Sequence, residues 1–398
     1  MLWRWPRSGP QARTHAILAA ATLWILFLVT LIGGTGNRSV VGPIKGADFT
    51  YFYTSGFAAR THQAAALYDF DALHRLQVSV VPESDVELYV PAYPPQAALL
   101  FAPLTVFSYR TALILWTVVT IALFAVIVRS AWYPVAGTLP DRIFVIAAAA
   151  AFPPFWSLVG HGQSTIVILL AFWLGWLALE RRRPLLAGMA FGLLLLKPQF
   201  AIVLSFIALA CGEWAMIAGA VISVALQIGS AALFLGWPVL KAYAALIPVL
   251  FKNAALLEPK PFQMHSVSAW THLLPTAIGT LVWGLASAVI IFYTAQVWKS
   301  SAPIRVRLGV LIFASALVNP HLTIYDATVL ALPLIWIGAY VQGRGVHEDA
   351  ATFWTIVYWL FVTLLAPTAF VIKLQLSVLL MIWLLARSMR VVLRPSSI

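Results

Sequence analysis

Apolar runs of about 20 residues, separated by brief polar stretches, recur from end to end of the chain. Runs of this length cross a bilayer core as helices, and slightly shorter ones do so where the bilayer thins. The pattern places spans near 15–34, 111–130, 143–159, 162–179, 184–196, 199–212, 214–236, 276–298, 306–319, 321–341, 351–366 and 369–386. It predicts an all-α polytopic membrane protein, one integral membrane domain over 1–398 with about 12 transmembrane helices. A membrane barrel would instead show short alternating segments. The spans before Lys197-Pro198 and Asn319-Pro320 read as helices broken at membrane depth. Irregular backbone is tolerated there only inside protein or beside a wet cavity.

Between the spans lie small basic clusters: the N-terminus with Arg4, Arg7 and Arg13, then Arg129/Arg142, Arg181-Arg182-Arg183, Lys299/Arg305/Arg307, Arg344 and Arg387/Arg390/Arg394. All fall on one side if the segment 94–107 does not cross fully, and the positive-inside rule makes that side cytoplasmic. The expected location is the inner (plasma) membrane, multi-pass. No small-residue cleavage site in a polar setting follows the first span, so it is expected to be a retained helix rather than a signal peptide. Two long loops then face outward, 35–95 and 237–275. Phe49, Phe52, Tyr53 and Phe57 recur at helical spacing in the first, and Leu67–Val81 reads as an amphipathic helix. Both are expected to lie in the membrane interface.

Composition agrees with this picture. The chain is 62% hydrophobic and 10% charged, with a mean hydropathy of +0.91, against about 25% charged in soluble domains. The net charge of +12 could suggest nucleic acid, but the basic residues are scattered rather than gathered in a patch, so nucleic acid is not an expected partner. Membrane lipids are. Cys211 is the single cysteine, which excludes an intramolecular disulfide and a cysteine-based zinc site.

Only 13 residues are acidic, and six of them sit in the first outer loop: Asp48, Asp69, Asp71, Glu83, Asp85 and Glu87. Asp48 stands among aromatic residues in Gly-Ala-Asp-Phe. A carboxylate in an apolar setting is costly unless paired or used. It suits a general base, and it equally suits a helix N-cap. Asp69-Phe-Asp71 imitates a metal motif, but Asp71 at a helix start reads better as a cap, and no second ligand cluster completes a metal site. Four further polar motifs border apolar helices on the same face: Tyr93-Pro-Pro-Gln96, Gly160-His-Gly-Gln163, Lys197-Pro-Gln199 and Asn319-Pro-His-Leu-Thr-Ile-Tyr-Asp326. His321 lies beside Asn319, Tyr325 and Asp326. Lys197 either snorkels to the interface or binds a phosphate. His161 and Gln163 either cap the following helix or line the site. Tyr93, Asn319 and Asp326 complete the candidate substrate-binding set. Arg60, Arg75 and His265 are expected at the interface.

Taken in order, these motifs resemble glycosyltransferase family 87 over about 45–330. That family includes the polyprenol-phosphate-mannose-dependent α-1,2-mannosyltransferases of mycobacteria and belongs to the multispanning GT-C class. The resemblance implies a GT-C-type bundle and metal-independent, inverting transfer of a hexose, mannose in those members. The donor would be a polyprenyl-phosphate sugar and the acceptor a hydroxyl of a glycolipid or glycan, with no cofactor. It puts the catalytic aspartate at Asp48 and the Asn-Pro-His histidine at His321, with the site facing the periplasm or cell exterior. A lipid or sugar transporter or flippase would also use broken helices, but it predicts inverted repeats, and none is visible. An inactive scaffold is disfavoured by the intact acid and histidine.

Overall fold

The computed structural model describes residues 9–139, 141–253, 260–344, 347–365 and 368–393. Arg4, Arg7 and Arg394 of the basic clusters, and 254–259 of the second loop, lie outside the described residues. The architecture is all-helical. The nearest thing to a strand among the described residues is an isolated bridge between Arg38 and Ile44.

Helix α1 (Gly9–Ile32) and α5 (Tyr109–Trp132) each have 24 residues, about 36 Å at 1.5 Å per residue. That exceeds the ~30 Å hydrocarbon core. Among the described residues six helices are long and apolar enough to cross, or seven if the bent pair α6 (Arg142–Ala150) and α7 (Pro153–His161) is one span, against the about 12 expected. Leu233, Phe234, Leu281 and Leu285 point outward from two of these helices, Trp214–Leu235 and Thr276–Trp298, each more than half exposed. Such a surface needs lipid around it. The protein is therefore a multi-pass membrane protein. Several of the other predicted spans are helices of 10–17 residues, among them α8 (Thr165–Glu180) and α10 (Ala201–Ala210). The expected break at Lys197 is present: α9 (Pro184–Gly192) tightens into a 3-10 turn, Leu193–Leu196, and Pro198 opens the next. Gln96–Val106, within the segment 94–107 expected not to cross fully, is a short apolar helix.

Close backbone packing holds α9 against α11 (Trp214–Leu235). A Cβ on Gly188 would collide with the Met216 carbonyl oxygen, and one on Gly219 with that of Leu185. Small residues permit this approach in a bilayer, where packing rather than water drives helix association. The helix Ile304–Val318 forms the axis of the bundle and is buried almost throughout. It ends at Asn319, so the axis delivers the Asn-Pro-His motif.

One end of the bundle gathers the polar motifs. The other gathers basic residues, where Arg13 pairs with Asp141 and Arg307 donates to the Trp298 carbonyl.

Two expectations about the first loop need correction. Helix α2 (Ala47–Arg60) does not lie in the interface. Phe49, Phe52 and Tyr53 are buried, and so are Thr50, Thr54 and Ser55 on its other faces. It is packed by α3 (Phe70–Val80) and α4 (Gln96–Phe101) as a plug inside the protein. Its aromatic residues fill a core: Phe52 stacks on Phe101 at 4.6 Å. Helix α3 does have one buried side, with Leu73, Leu76 and Gln77, but its cap is Asp69, which accepts the Ala72 amide at 2.8 Å. Asp71 lies inside the first turn instead.

The second loop is also more structural than expected. Its helix α12 (Trp237–Lys252) packs on the first loop through Tyr68 and Tyr243, 5.2 Å apart. His265 is buried rather than interfacial; its Nδ1 is 2.7 Å from the Ser377 hydroxyl, and burial pushes its imidazole down to about 4. The His265 amide donates to the Leu322 carbonyl at 2.7 Å and the Ser268 hydroxyl to that of Pro320 at 2.8 Å. The second loop thereby braces the turn that carries His321.

Candidate active site

Helix α2 starts at Gly46, whose φ of +64° turns the chain sharply. The Tyr109 hydroxyl donates to the Lys45 carbonyl at 2.6 Å and the Tyr89 hydroxyl to that of Ala47 at 2.5 Å. Burial, with the Asp48 carboxylate adding to it, pushes the Tyr89 phenol up, so it stays a donor. Gly46 occupies the cap position and no side chain caps this helix. Of the two roles open to Asp48 in the sequence, the cap is thus not used. The residue lies in the first turn, where the helix dipole favours a carboxylate.

What holds Asp48 comes from another helix. Phe49 packs directly on Gly162: a Cβ at that glycine, whose φ is +64°, would meet the Phe49 Cβ at 2.6 Å. The Trp116 indole donates to the Gly162 carbonyl at 3.1 Å. Gln163 follows, and its Nε2 donates to Asp48 Oδ2 at 2.7 Å. Asp48 is half-buried, and its Oδ1 takes no hydrogen bond from the described residues.

The Gln163 carbonyl oxygen accepts three donors: the Tyr93 hydroxyl at 3.0 Å, the Ser164 amide at 3.0 Å and the Lys197 ammonium at 3.2 Å. Lys197 also donates to Thr165 Oγ1 at 3.0 Å and to Asp326 Oδ1 at 2.6 Å. Its side chain is 5% exposed and that of Asp326 2%. The Tyr93 and Tyr325 rings lie 5.6 and 5.0 Å from the ammonium. Thr165 Oγ1 donates to Asp326 Oδ1 at 2.5 Å, and Thr323 supplies Oδ2 at 3.1 Å. A buried ion pair persists only when its remaining donors and acceptors are met, and here Lys197 has three acceptors for three N–H bonds. The residue sits at the helix break, between Leu196 and Pro198, instead of snorkelling outward.

The Asn-Pro-His turn closes this cluster. Asn319 is fully buried; its Oδ1 accepts the His321 amide at 2.8 Å, and its Nδ2 has no partner among the described residues. The His321 ring is half-buried within electrostatic reach of Asp326 and Lys197. His161 donates from Nδ1 to the Ser157 carbonyl at 2.9 Å, a contact that fixes the tautomer, and its ring is 5.5 Å from Tyr325. Tyr93, His161, Gln163, Lys197, Asn319, His321 and Asp326 thus gather with Asp48 at one end of the bundle. Sequence reasoning overlooked Thr165 and Tyr89. Thr165 lies two residues after Gln163 at a helix start, the only signal that could have flagged it. Among the described residues, no three His, Cys, Asp or Glu side chains form a metal-ligand group.

A site of buried polar groups at one end of a membrane bundle, with one carboxylate oxygen free of partners among the described residues, is an arrangement for chemistry on a polar substrate. The family model of glycosyltransferase family 87 matches residues 92–320, more than half of the chain. The chain belongs to glycosyltransferase family 87. No curated protein and no solved structure matches it. The matched stretch contains Tyr93, His161, Gln163, Lys197 and Asn319; Asp48 precedes it and His321 and Asp326 follow. The protein is a membrane glycosyltransferase, with a sugar donor and an acceptor as substrates.

Proposed function

We propose that this enzyme transfers a hexose from a polyprenyl-phosphate sugar to an acceptor hydroxyl on a glycolipid or glycan, at the outer face of the cytoplasmic membrane. The observation that supports this most is the half-buried Asp48 carboxylate, one oxygen tied to Gln163 and the other without a partner among the described residues. Asp48 takes the proton of the acceptor O–H. The acceptor oxygen attacks the anomeric carbon and the bond from that carbon to the phosphate oxygen breaks. The bonding pair leaves with the polyprenyl phosphate, and a β-linked donor gives an α-linked product. A positioned base contributes about 10²–10⁴-fold.

The donor's lipid tail lies between helices while its head reaches the site, which matches an all-helical chain with no nucleotide-binding sheet among its described residues. Negative charge builds on the leaving phosphate. His321 suits its stabilisation, because its ring takes no hydrogen bond from the described residues. Lys197 is already matched by protein acceptors, so its charge acts on the site at one remove. The reaction as written needs no cofactor. Outward orientation is supported by the basic residues at the far end of the bundle.

The test is turnover by purified enzyme offered polyprenyl-phosphate hexoses and, separately, nucleotide sugars. Transfer is expected from the lipid-linked donor only, with inverted configuration at the anomeric carbon. Transfer from a nucleotide sugar, or a retained configuration, would overturn the proposal.

A further inference from the structure

Among the described residues, Gln163 is the one side chain hydrogen-bonded to both Asp48 and Lys197. It bonds to Asp48 through one end of its amide and to Lys197 through the other. A glutamine amide can turn over, exchanging its oxygen and nitrogen. Here it cannot without loss. Turned over, its NH₂ would face the ammonium of Lys197, the hydroxyl of Tyr93 and the amide of Ser164, three donors that now share its oxygen. Its oxygen would face the carboxylate of Asp48. The Lys197–Asp326 pair is in turn fixed by Thr165 and Thr323.

From these contacts we infer that Gln163 is a positioning residue: the Lys197–Asp326 pair locks its amide so that its Nε2–H holds Asp48 by Oδ2 and presents Oδ1 to the acceptor hydroxyl. The inference rests on Asp48 acting as the base. It assigns Gln163 and Lys197 to aiming that base rather than to binding the donor phosphate. The pair is also nearly neutral as a unit, which leaves Asp48 as the uncompensated charge of the cluster. A carboxylate free to swing would lose the near-attack geometry that a proton transfer coupled to bond formation requires, and misplacement of this kind costs about 100-fold.

Three variants test it, each first checked for folding by thermal melting in detergent. Gln163→Glu keeps an acceptor for Lys197, Tyr93 and Ser164 but puts a carboxylate against Asp48. We expect kcat to fall about 100-fold, with the donor KM unchanged, the signature of an interaction used only in the transition state. Activity relative to wild type should recover as pH falls, because the introduced carboxyl, once protonated, donates to Asp48 as the amide does. The other titratable groups around this position are Lys197, Asp326, Tyr89, Tyr93, Tyr325, His161 and His321, and they are the same in both proteins. Tyr93→Phe, which removes one of the donors that fix the amide, should lower kcat about fivefold, again without raising KM; this second variant decides the matter if Gln163→Glu does not fold. A raised donor KM with unchanged kcat would overturn the inference in favour of direct substrate binding. A wild-type kcat, or a loss whose ratio to wild type is flat with pH, would overturn it too. Asp48→Asn is the control on the underlying reading: if it retains wild-type turnover the base assignment itself fails, whereas an inactive Asp48→Asn beside a fully active Gln163→Glu removes only the positioning role.

Discussion

Two ion pairs lie at opposite ends of this bundle, and their lengths barely differ: Arg13–Asp141 at 2.8 Å and Lys197–Asp326 at 2.6 Å. Their surroundings do. Arg13 and Asp141 are 41% and 24% exposed, while Lys197 and Asp326 are nearly sealed. At the basic end Asp141 caps α6 by accepting the Phe144 amide, and its carboxyl is held below the usual range mainly by that bond, with help from Arg13. Water and ions screen such a pair, so it contributes about 0–1 kcal/mol. At the polar end both charges are buried, and Gln163, Thr165 and Thr323 meet their remaining hydrogen bonds. Distance does not rank the pairs; burial and the bonds behind each charge do.

Removing Lys197 should have the largest effect on folding. Lys197→Met leaves Asp326 buried and unpaired, and we expect a loss of about 3–5 kcal/mol, measured as denaturant resistance in detergent. Replacing both partners, Lys197→Met with Asp326→Leu, should restore most of that stability while sugar transfer stays impaired. If the double variant regains wild-type turnover, the pair is only structural and the contrast between the ends collapses.

A smaller loss is expected for Gly162→Ala. The added methyl must push Phe49 away and occupy a left-handed backbone position, which costs about 1–3 kcal/mol. Because Phe49 sets the place of Asp48, turnover should fall more than melting suggests.

His265 predicts a pH effect. Its folded-state imidazole is held at about 4, below the ordinary 6.5, so the unfolded chain binds the extra proton first. The stability contributed by the neutral ring is therefore present above about 6.5 and is lost as pH falls from there towards 4. The melting temperature should decline across that window, and His265→Asn should flatten the decline. The smallest effect belongs to Arg13→Gln: under about 1 kcal/mol, shrinking further in high salt.

Much of this was legible in the chain. Apolar runs located the helices, because a bilayer leaves few alternatives. The breaks at Lys197 and Asn319 were visible as Lys-Pro and Asn-Pro inside apolar sequence. The polar motifs were visible for the same reason: charge and amide groups are scarce in this composition. What the sequence concealed was who holds whom. Lys197 and Asp326 are 129 residues apart, and Asp48 and Gln163 are 115 apart. No local spacing encodes such contacts. The aromatic run of α2 misled for a related reason. Phe and Tyr at helical spacing serve a membrane interface and a protein core equally, and only the packing of α3 and α4 around it decides between them.

Whether Asp48 is the base is read from turnover by purified Asp48→Asn enzyme with a defined polyprenyl-phosphate hexose. The substitution keeps the shape of the side chain and removes its ability to take a proton. We expect a melting curve like that of the wild type and a fall in kcat of about 10²–10⁴-fold. Wild-type turnover by a folded Asp48→Asn enzyme would contradict it.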